Sequence, residues 1–322
     1  MKFSLVSDVD RLLESQAAEW PLLARGLQGL RGSQTRVESV FGRDVLVRQI
    51  PHRIRSTTAP VDAISVSQRK CFLCPMHLDP EEQGISFNEE FTLYCNPFPI
   101  LDRHLTIVHV NHRLQRIGGQ FGVFLKLAEA LPDSFMIYNG PECGASAPDH
   151  LHFQACSRAV FPIESDIRFP DGWAPSLEFR TAALTLRPGL PSQPVMQVHL
   201  PRVFIFRDRE AERLVGSLEA LVEALRDVTE PMFEPMINVA GWFSDGQWSV
   251  VVFPRGKHRP RVFETGELIV SPATIDLCGI FVVPKPEDFA KISGIDIESI
   301  LAEVTLPGDQ FDAVVARLGG KP

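Results

Sequence analysis

Residues 150–154 read His-Leu-His-Phe-Gln, with polar and apolar side chains in strict alternation. Successive side chains of a β-strand point to opposite faces, so His150, His152 and Gln154 share one face, about 6–7 Å apart at each step of two. Leu151, Phe153 and Ala155 fall on the other face. On a helix the same polar residues would diverge, because residues two apart do not face each other. The pattern demands a strand that carries a polar ridge on a sheet whose opposite face is buried.

The surroundings of that strand read as alternating strands and helices. Residues 4–30 have the apolar spacing of one helix, with Ser7 or Asp8 as cap and Gly29 and Gly32 at its end. Residues 36–50 read as two strands that bend near Gly42, followed by a polar loop, RIRSTTA, after Pro51. An irregular stretch over 71–90 precedes strands at 91–97 and 103–110. A helix is expected over 113–131, where Leu114, Ile117, Phe121, Phe124, Leu125 and Leu131 form one stripe. A strand at 135–139, a Gly/Ser/Pro loop and the strand 150–157 follow. Residues 160–200 are rich in loop formers. Beyond them lie a strand at 203–207, a helix at 210–228 and a hairpin over 236–254 turning at Asp245-Gly246. A strand at 279–284 precedes short helices at 286–292, 296–304 and 308–318. Hairpins mixed with single helices indicate an α+β chain with antiparallel sheet rather than a doubly wound one. The repeated order of strands and helix is compatible with a diverged duplication, in which 279–284 would take the place of the His-x-His-x-Gln strand.

At 322 residues the chain can bury a sizeable core without staples. Its 44% apolar and 22% charged residues are those of a globular protein, not a disordered or fibrous one. A net charge of −8 disfavours duplex nucleic acid, whose binding depends on phosphate neutralisation. No apolar run approaches the length of a membrane helix. Asp8 interrupts the start before a signal-peptide core can form. The expected location is the cytoplasm, with no membrane partner.

Two histidines beside a glutamine suit phosphate chemistry. A neutral imidazole is a good nucleophile near pH 7 and can attack phosphorus. A glutamine amide donates to a phosphate oxygen without adding repelling charge. Upstream, Asn139-Gly140 and Gly144-Ala145-Ser146 form a loop whose backbone N–H groups can approach a phosphate. Arg53, Arg55, Lys257, His258 and Arg259 are candidate phosphate binders, and Asn139 is a candidate for fixing the loop or touching a ribose. His104 and His109, at odd separation on one strand, face opposite ways and read as structural. Cys71-Phe72-Leu73-Cys74 has the C-x-x-C spacing of a tetrahedral zinc site but supplies only two ligands. Neither the phosphate-binding G-x-x-x-x-G-K-[ST] loop nor the dinucleotide-binding G-x-G-x-x-G occurs.

The run Asn139-Gly-Pro-Glu-Cys-Gly-Ala-Ser-Ala-Pro-Asp-His-Leu-His-Phe-Gln-Ala155 resembles the active-site strand of the histidine-triad superfamily, in the branch with H-x-H-x-Q. That branch contains galactose-1-phosphate uridylyltransferases, diadenosine tetraphosphate phosphorylases and GDP-hexose phosphorylases. Pro51 to Thr57, Arg103 to His112 and Phe253 to His258 resemble further motifs of the branch, so the likeness spans roughly residues 45–285.

The resemblance implies two histidine-triad units in one chain. An N-terminal helical segment would occupy 1–35, the unit carrying the site 36–200, and a degenerate second unit 201–322. It implies His152 as nucleophile, with Gln154 holding the phosphate oxygens. It also implies phosphate contacts from Gly144 and Ser146, although four steps separate Ser146 from His150 where the uridylyltransferases have three. A structural zinc would be held by Cys71, Cys74, His112 and His150. The implied activity is that of a nucleotidyltransferase or phosphorylase working through a nucleotidyl-histidine. Its substrate would be a nucleoside diphosphate sugar or a dinucleoside polyphosphate, and its acceptor phosphate or a sugar phosphate. A nucleotide hydrolase and a non-catalytic, zinc-stabilised nucleotide-binding protein are the alternatives. The assembly would be a monomer or a homodimer.

Overall fold

The structure, a computed structural model, describes residues 4–167, 178–180 and 202–319. The expected first helix is two, α1 (Leu5–Glu19) and α2 (Pro21–Arg31). Ser4, not Ser7 or Asp8, caps α1 by accepting the Ser7 N–H. The break falls at Trp20, because the following Pro21 disfavours helical backbone in the residue before it. Strands β1 (Gln34–Val40) and β2 (Arg43–Gln49) pair across Phe41-Gly42, both at positive φ. The segment expected as a polar loop is helical instead: a 3₁₀ turn at Pro51–Arg53 leads into α3 (Ile54–Thr57), and α4 (Ala63–Gln68) follows.

Strands β3 (Gly84–Phe87), β4 (Phe91–Cys95) and β5 (Leu105–His109) form a meander. The long helix expected from 113 is α5 (Phe121–Ala130). Gly118-Gly119, with Gly119 at φ +75°, ends the possibility of an earlier start, and Leu114 is half exposed. Residues 113–115 instead run extended beside the approach to the histidine strand, Arg113 accepting the Leu151 N–H. Strands β6 (Ser134–Asn139) and β7 (His152–Ser157) complete the first half, followed by α6 (Pro162–Asp166) and β8 (Glu178–Arg180). Apart from these, the loop-rich 160–200 lies largely outside the described residues.

The second half contains β9 (Val203–Asp208), α7 (Ala211–Thr229) and the hairpin β10 (Ile237–Ser244) and β11 (Gln247–Pro254), turning at Asp245-Gly246 as expected. Then come α8 (Arg261–Glu264), α9 (Thr274–Leu277), β12 (Ile280–Val283), α10 (Pro286–Lys291), α11 (Gly294–Val304) and α12 (Gly308–Arg317).

Among the described residues, nine strands make one antiparallel sheet in the order β3-β4-β5-β7-β6-β10-β11-β9-β8. Reading outward from the β6–β10 seam, one side runs β6, β7, β5, β4 and the other β10, β11, β9, β8. Helix α5 connects β5 to β6, and α7 connects β9 to β10. The two sides are therefore the same α+β unit built twice, and the strand equivalent to β7 is β11. The expectation that 279–284 takes that place is corrected: β12 leaves the main sheet and pairs in parallel with β2 in a sheet β1-β2-β12.

One face of the main sheet, with Phe153, Tyr138, Val250 and Phe204, packs under α5, α7 and α12. The other, with Ile137, Val251 and Phe253, packs against Val45, Val47, Phe281 and Ile297 from the small sheet and α11. Burial of these two apolar layers from water is what holds the strands in register. The site lies on the second face, where the covering layer gives way to a cleft. No helix among the described residues is long and apolar enough to cross a membrane.

Candidate active site

Leu151, Phe153 and Ala155 enter the helix-covered core, which forces His152 and Gln154 onto the other face. The ridge is not an open surface: His150 and His152 are buried. His152 Nδ1 lies 2.8 Å from the His150 carbonyl oxygen. A carbonyl can only accept, so Nδ1 carries the proton and Nε2 keeps its lone pair. Burial is the main reason that the His152 pKa falls to about 4, so the ring is neutral at pH 7.

Gln154 is oriented by a chain of donors. His104 Nδ1 accepts the Ile100 N–H at 3.1 Å, which leaves Nε2–H to donate to Gln154 Oε1 at 2.9 Å. The Gln154 NH₂ is then the end of the amide free for a ligand. Burial first, then the charge of Arg53, lowers the His104 pKa to about 3. His104 is thus structural, as its place in the sequence suggests. His109 is buried as well, its ring Nδ1 accepts the Asn111 N–H at 3.0 Å, and its carbonyl meets His150 Nε2 at 2.7 Å.

Gln154 opens onto a cleft between the two halves. One wall is Arg53, Ser56 and Thr57, from the turn before α3 and from α3 itself. Asn139, Gly144 and Ala145 line the strand end and loop, and His258, Arg259, Ser271 and Asp276 come from the second half. Arg53 donates to the Phe98 carbonyl at 3.1 Å, and Arg259 to those of Thr57 and Ala59 at 3.0 and 2.9 Å. Burial lowers the Arg53 pKa to about 10, which leaves it cationic at pH 7. Two guanidinium groups held by neutral carbonyls keep their charge for an anion. Gly144 has φ +96°, and a Cβ there would come 2.6 Å from the Ala273 Cβ, so only glycine brings this loop against the second half.

Of the sequence-derived candidates, Arg53, Asn139, Gly144, Gln154, His258 and Arg259 line the cleft, while Arg55, Ser146 and Lys257 do not. Arg55 is exposed, and Lys257 is occupied by Glu303 at 2.8 Å and Glu264 at 3.3 Å. His152 is not part of the lining either, but lies one step along the ridge from Gln154. Asn139 Oδ1 accepts from Asn238 Nδ2 at 2.8 Å and from the Thr274 hydroxyl at 2.7 Å, so it ties the loop to the second half.

Sequence reasoning missed Asn238, Asp276 and Arg255. Arg255 is fully buried and donates to Asn238 Oδ1 and to the carbonyls of Pro272, Val304, Lys257 and His258. It thereby fixes the turn that presents His258 and Arg259. Its signal was present in Phe-Pro-Arg-Gly, an arginine at the end of an apolar strand.

Cys71, Cys74, His112 and His150 converge, their ligand atoms all within 4.8 Å of one another. Cys71 Sγ and Cys74 Sγ lie 3.3 and 3.7 Å from His150 Nδ1, and Cys74 Sγ lies 3.2 Å from His112 Nδ1. A tetrahedral zinc with bonds of about 2.0–2.3 Å needs ligand separations of about 3.3–3.8 Å. His150 Nε2–H donates to the His109 carbonyl, leaving Nδ1 to the ion, as metal-bound histidines require. The residues fit zinc. Four protein ligands would leave no open position, so the ion's part would be structural.

Residues 12–157 match the family model of a domain of unknown function, DUF4922, and residues 201–318 match that of a GDPGP1-like C-terminal domain. No curated protein matches in sequence. Among solved structures, yeast Ap4A phosphorylase Apa2 in complex with Ap4A is similar over 95% of this chain and 99% of its own, at 14% identity and a TM-score of 0.57. The same enzyme in complex with AMP gives 93% and 97%, 14% identity and 0.58. An ADP-glucose phosphorylase from Arabidopsis thaliana with bound ADP-glucose covers 85% of this chain and all of its own at 13% identity and a TM-score of 0.36. The chain thus has the fold of the Ap4A phosphorylase structures, and its strand β7 carries the His-x-His-x-Gln ridge on that fold.

Proposed function

We propose that the chain is a nucleotidyltransferase, of the phosphorylase type, that works through a nucleotidyl-His152 intermediate. The observation that carries this reading is the hydrogen bond from His152 Nδ1 to the His150 carbonyl: a buried, neutral ring whose one remaining nitrogen is unprotonated. His152 Nε2 attacks the α-phosphorus of a nucleoside diphosphate sugar or a dinucleoside polyphosphate. The N–P bond forms as the bond from phosphorus to the bridging oxygen breaks. That oxygen leaves on the second phosphate, as a sugar 1-phosphate or a nucleoside polyphosphate. The ring now carries positive charge, which the His150 carbonyl stabilises through the Nδ1 proton. An oxygen of inorganic phosphate then attacks the same phosphorus, the P–N bond breaks, and a nucleoside diphosphate departs. In this reading the Gln154 NH₂ and the Arg53 and Arg259 guanidinium groups, which line the cleft, take the phosphate oxygens. The bound Ap4A, AMP and ADP-glucose of the similar structures and the GDPGP1-like match support nucleotide substrates of this class.

The test is incubation with α-³²P-labelled nucleoside diphosphate sugars and Ap4A, with and without phosphate, a mild quench and peptide mapping. Label is expected on His152, and nucleoside diphosphate is expected as product only when phosphate is present. His152→Asn should abolish both, and Gln154→Ala should slow turnover by roughly 10²–10³-fold, the loss typical of one oxyanion donor. Label elsewhere, or normal turnover by His152→Asn, would end the mechanism. Release of nucleoside monophosphate at the same rate with and without phosphate would make the protein a hydrolase.

A further inference from the structure

The strand that carries His152 pairs with β5 on one side, Val108 opposite His152, but has no strand partner at that residue on the other, β6 side. The β6–β7 pairing runs Ser134 with Ser157 to Ile137 with Gln154. The next pairs in this register would be Tyr138 with Phe153 and Asn139 with His152, but there the strands part and β6 continues against β10. A single side chain fills the fork. Gln115 is fully buried, and its Oε1 accepts the His152 N–H at 2.7 Å. Its Nε2 donates to the His152 carbonyl at 3.0 Å and to the Asn139 carbonyl at 2.9 Å. The amide stands in for the peptide group of the missing strand and satisfies three buried backbone groups at once.

The clamp is itself held on two sides. The Gln115 N–H donates to the Pro148 carbonyl at 3.1 Å, in the loop that leads to His150. Two residues on, the Ile117 and Gly118 N–H groups donate to buried Glu234 Oε1 at 2.7 and 3.2 Å. Glu234 belongs to the second half, just before β10, and its Oε2 accepts the Tyr138 hydroxyl at 2.5 Å. The second half therefore reaches the nucleophile's backbone through Glu234 and the 115–118 segment.

We infer that Gln115 is a positioning residue for the reaction proposed above, fixing the His152 backbone so that its ring keeps the Nδ1–H bond to the His150 carbonyl. The inference rests on His152 being the nucleophile. Both partners of that ring bond lie on the stretch Gln115 grips, His150 O through the 148 loop and the ring through His152 itself. A strand end held on its β5 side alone could shift, and would lose the bond and with it the single tautomer.

The experiment compares wild type, Gln115→Ala, Gln115→Met and His152→Asn. Gln115→Met keeps the volume and removes the amide. Turnover is normalised to active sites by the burst of label, and the His152 ring nitrogens are read by ¹⁵N NMR. In the folded fraction of both Gln115 variants, kcat is expected to fall roughly 10²-fold with KM nearly unchanged, as misplacement of a reacting group does. The Nδ1–H tautomer should lose its dominance. Wild-type kcat per active site, or an unchanged tautomer, would overturn the inference while leaving His152 as nucleophile. Loss of active protein with unaltered kcat in the remainder would show a merely structural role and overturn it too. Retained label in His152→Asn would instead bring down the nucleophile, and the clamp's catalytic role with it.

Discussion

His104 and His258 are the residues at which the site meets the stability of the fold. Burial is the main cause in both: it brings His104 to about 3 and, with the charges of Arg259 and Arg255, His258 to about 4. In the unfolded chain each would titrate near 6.5. Between these values the unfolded state binds protons that the folded state refuses. Stability is therefore intact above about pH 6.5 and lost progressively as pH falls toward the folded values. At pH 5 the loss should be about 2 kcal/mol for each histidine. Burial raises the Glu82 pKa to about 7 and that of Asp276 to about 6, which acts in the opposite direction, so the histidine contribution is read by difference. Urea midpoints should fall less from pH 7.5 to 5 in His104→Gln and His258→Gln than in wild type, and equal slopes would contradict the burial described here. Because both rings stay neutral, the decline is one of folding, not of the His104 bond that aims Gln154.

Among the elements, the segment from Cys71 to the 3₁₀ turn at Pro75–His77 has little apolar cover: Phe72 and Met76 are exposed. Its tie to the sheet is the Cys71, Cys74, His112 and His150 quartet, together with the Arg69–Asp149 pair at 2.5 Å. A metal bound there joins this segment, the turn after β5 and the approach to β7. Protein purified without chelator should hold about one zinc per chain. Cys74→Ser, or stripping under mild denaturant, should remove the metal and lower Tm by on the order of 5 °C or more. Calorimetry beside elemental analysis checks it. Full activity and an unchanged Tm in metal-free protein would remove the ion from the account. The C-x-x-C spacing was visible in the sequence, but the ligand atoms of His112 and His150 meet it only because β5 and β7 are neighbours.

Across the whole molecule, the duplicated unit carries one set of chemistry. Strand β11, equivalent to β7, reads Gln-Trp-Ser-Val-Val-Val-Phe-Pro and has no histidine. Its alternate residues Val251 and Phe253 fill the second core where β7 places its polar ridge. The second half contributes instead to the first half's cleft, through His258, Arg259, Asp276 and the close contact at Gly144. Labelling should reach one nucleotide per chain, all on β7. Intact-mass measurement reads this directly, and a second adduct would show a working site in the second half.

The local periodicity of the chain by itself determined the α+β class, most strands, the Asp245-Gly246 hairpin and the two faces of β7. Such features depend on which residues alternate and where glycine or proline interrupts, and neighbours in sequence suffice for that. The breaks at Pro21 and Gly119 were equally local, but apolar spacing ran across them and hid them. The resemblance of the His-x-His-x-Gln stretch pointed to the candidate ridge and the metal quartet before any contact was known. Only the tertiary structure decided that Asn139 is tied to Asn238, that Arg255 is buried among carbonyls, and that Lys257 is taken by Glu303 and Glu264. It alone revealed that β12 leaves the main sheet and that Gln115 plugs the fork at His152. Each of these depends on which distant backbone groups are left without a partner after the strands pair. A buried donor or acceptor costs about 1–3 kcal/mol if unmet, and which side chain meets it is settled by packing, not by its neighbours in sequence.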